Sequence, residues 1–518
     1  MANIPAEISG FSVPDKLRYF PKPVGLGGRR VLTRINPNGT DKAIHMKSQR
    51  QRRVFNIPSI PGAFLDAEQL RIVWDAVACY DATYTNVTTT TDGESVIFPD
   101  GQYGLIYGMK LKSAGTVLVH KTNYNRLHNF MKKANINKEY YDTLGATEGY
   151  YGSFLNNAFR YANQILSFQE NSTTPVSGLS DAAPPIITGG AQVERAAIAA
   201  TSLLTKINNE LITRSGATTR YSIHPHILLF DLPKAIHLGD FPNGLQLEIE
   251  FETADVALST QKYVSYMTGV ISDANRLNTG TDLTTRSYYL DNMAIEVEYV
   301  EMSDSFVALW NTIKATAGHA IHFQDWELID NSYMSSEYTI DPNISNVKTA
   351  FAFYQGINQV NGDRGFSLDK YVDLNLSEFF FKYGKLTIPN ERGTIYDSTL
   401  TVNYDVIAEG LKALGKYADI DGGSIINYKD PPTLYNTSVG AAITTSTSAD
   451  ALNGKDFFIG ARFTPFVNDD AYTLDSGTLS LWTKQHTAST IGQFQQYVIV
   501  SRDKTLIFEP SGGVGVSL

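Results

Sequence analysis

Between Tyr289 and Tyr299 the odd positions read Met293, Ile295, Val297 and Tyr299, with Glu296 and Glu298 between them. A period of two predicts a strand with one buried face and one wet face. The period then changes. Ser303, Asp304 and Ser305 offer an N-cap and first-turn negative charge, and Phe306, Leu309, Trp310, Ile313 and Ala317 recur at helical spacing. Gly318 is placed to end this helix. Long strand-rich regions flank the stretch Tyr288 to Ile329, which reads as a seam between two β-domains. Phe306, Leu309, Trp310 and Ile313 are then expected to be buried between or beneath them, and Trp310→Ala to cost about 3–5 kcal/mol.

Upstream, a strand is predicted around Leu70–Trp74, and two apolar runs within Tyr103–Val119 are broken at Ser113-Ala114-Gly115. Helical spacing follows at Tyr124, Leu127, His128, Phe130 and Met131, and again over 154–168 and 193–212, so 122–215 reads as a helical insertion. Leu245, Leu247, Ile249 and Phe251 alternate with Gln246, Glu248 and Glu250, the clearest strand pattern in the chain. Downstream, strands are expected at 350–355, 371–376, 457–463, 478–482, 497–500 and 506–508, with a helix over 405–416. The Gly-rich C-terminus is expected to fray.

Composition sharpens this outline. A chain of 518 residues with 42% hydrophobic residues is long enough for two or three domains. Its 29 Tyr and 26 Phe favour strands. Cys79 is the single cysteine, which excludes an internal disulfide and a cysteine-based zinc site, and fits assembly in a reducing compartment. Neither a signal-peptide pattern nor a run of about 18 apolar residues is present. Net charge is −10, unevenly spread: residues 1–53 hold eleven Lys/Arg and three Asp/Glu, a net of +8 that leaves −18 for the remainder. Arg29, Arg30, Arg34, Arg50, Arg52 and Arg53 therefore suggest a basic extended arm, either solubilising or lying on polyanions or acidic neighbours.

No phosphate-binding Gly-x-x-x-x-Gly-Lys-Ser/Thr loop, His-Glu-x-x-His helix or Gly-x-Ser-x-Gly elbow occurs. In His224-Pro225-His226 the proline implies an extended backbone that directs the imidazoles to opposite faces, which argues against a shared metal. His319 and His322 read as structural histidines, and Asp419-Ile420-Asp421-Gly422 lacks the glycine and glutamate of a calcium loop. These readings assign no catalytic residue, cofactor or metal.

Short motifs in a consistent order carry a resemblance. Phe55-Asn56-Ile57-Pro58, Pro61-Gly62-Ala63-Phe64-Leu65-Asp66 and Leu70-Arg71-Ile72 are followed by Tyr103-Gly104-Leu105-Ile106, Met109-Lys110-Leu111 and Tyr124-Asn125. Phe241-Pro242-Asn243-Gly244, the strand ending at Tyr299, Phe458-Ile459-Gly460 and Val500-Ser501-Arg502 complete the series. Over most of 54–518 the chain resembles the double jelly-roll major capsid proteins of polinton-like viruses and virophages, although that family often has a basic residue at the position of Tyr107. The resemblance implies a mainly β fold of two eight-stranded antiparallel jelly rolls: 1–53 an arm, 54–302 the first jelly roll, 303–318 a linker helix and 319–518 the second. It implies a non-enzymatic subunit of the virion, assembled in the host cell as a homotrimer that forms a pseudo-hexagonal capsomer in an icosahedral shell. Neighbouring capsomers, penton and minor capsid proteins would be its partners, and the arm would meet genome or an inner membrane. The rival reading is a carbohydrate-binding or glycoside-cleaving β-sandwich, with exposed aromatic platforms beside a carboxylate pair.

Overall fold

The computed structural model describes residues 28–39, 43–79, 94–98, 100–136, 143–149, 219–232, 235–241, 243–262, 287–317, 319–333, 337–356, 371, 376–394, 404–417, 457–464, 477–485, 494–508 and 514–517. The expected helices at 154–168 and 193–212 lie outside them. Eight main strands form the first half: β1 (Gly28–Ile35), β2 (Gln51–Ile57), β3 (Ala63–Cys79), β4 (Ile106–Ser113), β5 (Thr116–Lys121), β6 (Thr219–Ile223), β7 (Leu245–Phe251) and β8 (Ser287–Met302). They make two antiparallel sheets, ordered β1-β8-β3-β6 and β2-β7-β4-β5. Helix α1 (Tyr124–Asn135) follows β5, and α2 (Asp304–Ala317) follows β8.

The second half repeats the plan. Its strands are β9 (His319–Ser332), β10 (Glu337–Ile344), β11 (Val347–Gly356), β12 (Leu376–Tyr383), β13 (Leu386–Thr394), β14 (Ile459–Arg462), β15 (Gly477–Gln485) and β16 (Phe494–Phe508), with α3 (Tyr404–Ala413) between β13 and β14. The sheets run β9-β16-β11-β14 and β10-β15-β12-β13. Both halves thus use the order first-eighth-third-sixth against second-seventh-fourth-fifth, the wound arrangement of a jelly roll. The protein is a double jelly roll.

Each pair of sheets encloses one apolar core. In the first half Phe55, Leu65, Ile72, Trp74, Leu111, Leu247, Ile249 and Ile295 meet between the sheets; in the second, Ile344, Ala352, Phe381, Leu481 and Val498 do so. In β8 the inward positions are Tyr288 and Leu290, then Met293, Ile295 and Val297. The parity changes at a bulge, where pairing with β3 shifts between Asp291 and Ala294 and Asn292 adopts φ 50°. The extra residue turns every later side chain to the other face, which is why the alternation read from sequence holds only beyond it.

Several expectations are corrected. The supposed arm over 1–53 gives way from Gly28 onward, because β1 pairs with β8 and β2 with β7. Tyr103–Leu105 is a turn of 3-10 helix rather than strand, and Tyr371 makes an isolated bridge. Val514–Ser517 is not frayed but pairs with β16, and the segment 506–508 is the end of β16 itself.

Candidate assembly interface

In the sheet β9-β16-β11-β14, strand β11 is buried on both faces. Along β11, Ala350, Ala352 and Tyr354 join the barrel core while Phe351 and Phe353 belong to a second apolar cluster on the opposite face. That cluster is completed by Leu127 and Phe130 of α1, Leu328, Phe458, Tyr497, Ile499 and Ala413 of α3. A strand buried on both sides reads as a continuous apolar run, which explains Ala350–Tyr354 and Tyr497–Val500. Helix α1, contributed by the first half, is therefore a wedge between the barrels. Phe130 is fully buried and stacks on Phe353, with its edge contact to Phe458 at 5.2 Å between centroids.

Polar residues of α1 are buried as well, and several reach polar partners. The Arg126 guanidinium donates to Gln355 Oε1 at 3.1 Å in the other half, and Asn125 donates to Glu252 Oε2 at 3.3 Å. Lys132 pairs with Glu148, and Lys133 lies over the Tyr371 ring. Burial lowers the Lys132 pKa to about 8, with Glu148 opposing that shift. Next to α1, Lys121 at the end of β5 ion-pairs with Asp325 of β9 and donates to the Trp326 carbonyl. Asp325 also accepts from Lys504 at 2.6 Å, and Glu327 accepts from Lys504 and, on both its oxygens, from Arg502 Nη2. Lys121 and Asp325 are only 5% and 3% exposed, so this pair crosses the seam largely out of reach of water. Neither α1 nor Lys121 was singled out by the sequence pattern for this task. The available signal was the doubly apolar β11, which demanded a second covering element.

Helix α2 plays a different part from the one expected. Leu309 is 51% exposed, and Phe306 and Trp310 are half-buried rather than enclosed between barrels. Their rings rest on Phe64 at 5.6 Å each, with Trp310 also edge-on to His319. The Ile313 side chain lies outside the described residues. What α2 contributes is a charge: Lys314 pairs with the buried Asp240, which accepts from His237 Nδ1 at 2.7 Å and lies 3.4 Å from His319 Nε2. Burial pushes the Asp240 pKa up, but His237 and Lys314 more than reverse this and hold it below the ordinary value.

The six arginines expected on a basic arm stand on or beside β1 and β2, and three of them are paired with carboxylates of the barrel. Arg30 pairs with Glu298, Arg50 with Glu252 at 3.0 Å and Arg52 with Glu248 at 3.2 Å. Arg34 donates to the Asn292 carbonyl and Arg53 to the carbonyls of Arg52 and Ala43, while Arg29 is exposed. The Arg50 guanidinium lies 3.3 Å from the Tyr107 ring centre. Among the described residues half of these arginines thus stand in cross-strand ion pairs, because adjacent antiparallel strands put opposite charges side by side.

His224 and His226 also differ from expectation. Their rings do not face apart: the centroids are 4.8 Å apart, and Asp231 lies beside both. The chain bends after Pro225, where Ile227 N donates to the Pro225 carbonyl, so the two-residue alternation of a strand no longer applies. On β9, His319 and His322 are three positions apart and take opposite faces, His322 pairing with Thr505 at 2.8 Å.

No protein-family model matches the chain, and no curated protein does. Solved structures similar to it include that of the Sputnik virophage, at 12% identity and TM-score 0.48 over 97% of this chain and 91% of that one. The PBCV-1 virus capsid is similar at 9% identity and TM-score 0.47, over 95% and 97%, as is the mavirus major capsid protein at 9% and 0.44, over 97% and 93%.

Proposed function

We propose that the chain is the major capsid subunit of an icosahedral virus, a structural protein whose trimers form pseudo-hexagonal capsomers. The observation that carries this reading is the duplication: two jelly rolls with one strand order, locked together by α1 and by the Lys121–Asp325–Lys504 network. A unit with two like halves presents six like barrels when three copies close around an axis, an outline that tiles a shell. Locking the halves in a dry, ion-paired seam suits a subunit that must hold its shape while weaker contacts between capsomers form and break.

Neighbouring capsomers, penton and minor capsid proteins are the partners this implies, and 1–27 is the segment left to meet genome or an inner membrane. The carbohydrate reading gains nothing from the tryptophans. Trp74 is fully buried and donates to Gln102, Trp482 stacks on Phe380, and Trp326 on Phe351. Light scattering and negative-stain microscopy of the purified protein test the proposal. Trimers with a hexagonal outline are expected, and a strictly monomeric species at high concentration overturns it.

A further inference from the structure

We propose that His224, His226, Asp231 and the Phe230 carbonyl form a binding site for one divalent transition metal of the zinc type. The site lies on the connection that follows β6. Three of its ligand atoms, one each from His224, His226 and Asp231, fall within 4.8 Å of one another. Asp231 Oδ1 is 2.8 Å from His226 Nδ1 and 3.8 Å from His224 Nε2, and the Phe230 carbonyl oxygen is 3.0 Å from His224 Nε2. Donors held about 2.1 Å from one ion in tetrahedral or octahedral geometry are themselves roughly 3–4 Å apart. The separations of Asp231 and of the Phe230 carbonyl from the imidazole nitrogens are close to that spacing, and the widest pair of the cluster, within 4.8 Å, closes by a small turn of the partly exposed His226 and Asp231 side chains.

The second observation concerns the His224 ring alone. Its Nδ1 is 2.8 Å from the Leu70 carbonyl, and its Nε2 is 3.0 Å from the Phe230 carbonyl. A neutral imidazole has one N–H and can satisfy one of these oxygens. With the proton on Nδ1, the Nε2 lone pair faces a carbonyl lone pair, an unfavourable contact unless a cation stands between them. An Nδ1–H given to a backbone carbonyl with Nε2 left bare is the arrangement that orients histidine ligands toward metals.

The frame around the site is built. Tyr103 Oη donates to the His224 carbonyl at 2.8 Å, and His226 N donates to Tyr124 Oη at 3.1 Å, so two buried tyrosines fix the backbone between the ligands. The buried His128 stacks beside this group, 5.1 Å from the His226 ring and 3.6 Å from that of Tyr103. Two imidazoles, one carboxylate and one carbonyl favour zinc, cobalt or nickel over the hard, all-oxygen preference of calcium and magnesium. His226 and Asp231 are each close to half exposed, which leaves a coordination position open to water. The ligating tautomer of His226 carries its single proton on Nε2, and the ion then takes the place of the Nδ1–H as the partner of Asp231. The result is a clasp that pins the β6–β7 connection to the middle of β3 through Leu70. It is independent of the capsid reading and could hold in a protein of another function.

Cobalt(II) titration of the full-length, tag-free protein after chelator treatment and dialysis tests the site. The expected result is a visible d–d absorption band that saturates at one cobalt per chain and is abolished by zinc. His226→Gln and Asp231→Asn, both at partly exposed positions, should each weaken binding at least tenfold while the circular-dichroism spectrum stays unchanged. His322→Gln, on the other barrel, should bind as the parent does. Absorption no different from aqueous cobalt overturns the proposal, and so does binding that survives both substitutions or depends on His322.

Discussion

Phe130 of α1 lies parallel to Phe353 of β11, with ring centroids 5.4 Å apart and planes 8° from coplanar, although 223 positions separate them in sequence. One residue belongs to the first jelly roll's helix and the other to the second jelly roll's central sheet, so the pair measures the docking of the two halves. Phe130→Ala empties a fully enclosed position and should cost about 3–5 kcal/mol of unfolding free energy. A double-mutant cycle with Phe353→Ala should show coupling of about 1 kcal/mol, as expected for an aromatic pair in contact. Denaturant unfolding of the four proteins checks both values.

Asp325 serves two lysines, one from each half, and its removal should be more damaging than the loss of either lysine. Asp325→Asn leaves Lys121 and Lys504 buried with much less compensation, at a cost of about 3–5 kcal/mol. Lys121→Met removes the charge along with the partner, and Asp325 retains Lys504, so its cost should be smaller. Thermal unfolding ranks the two variants; the reverse order would argue against the network as drawn.

The same carboxylates set a pH dependence. Burial raises the Asp325 pKa, but Lys121 and Lys504 outweigh burial and hold it below the ordinary range; Lys504 and Arg502 do the same for Glu327. A carboxylate with a depressed folded pKa contributes stability that is complete above its unfolded value, about 3.9 for Asp, and is lost as pH falls through the folded value. The seam should therefore hold at neutral pH and loosen below about pH 4. Asp325→Asn should lose less stability than the parent between about pH 5 and pH 3, measured by denaturation at the two values.

Trp310→Ala should cost about 1–2 kcal/mol, less than for an enclosed tryptophan, because α2 lies half-open on Phe64. Leu309→Ala, at an exposed position, should change stability by no more than about 0.5 kcal/mol. Calorimetry of the two proteins checks the contrast.

Gly244 has φ +73°, and a Cβ there would stand 2.2 Å from the Ile57 carbonyl oxygen. The turn from Phe241 into β7 needs both the left-handed backbone and the missing side chain. Gly244→Ala should cost at least about 1–3 kcal/mol, read from its denaturation midpoint.

Local pattern determined much of this protein. The alternation of Leu245–Phe251, the break at Ser113-Ala114-Gly115 and the helical spacing around Phe306 each specify an element, because side-chain period and turn chemistry are local properties. Short motifs in order were enough to suggest two jelly rolls. The tertiary structure decided what joins them. In sequence α1 and α2 are both amphipathic helices, and nothing local says that Phe130 is enclosed while Leu309 faces water. The bulge at Asn292 and the bend at Pro225 likewise reassign faces only once partner strands and loops are in place. The arginines of β1 and β2 looked like free positive charge because Glu248, Glu252 and Glu298, which lie beside them, are about two hundred or more residues away along the chain. Register across antiparallel strands, not composition, brings those charges together.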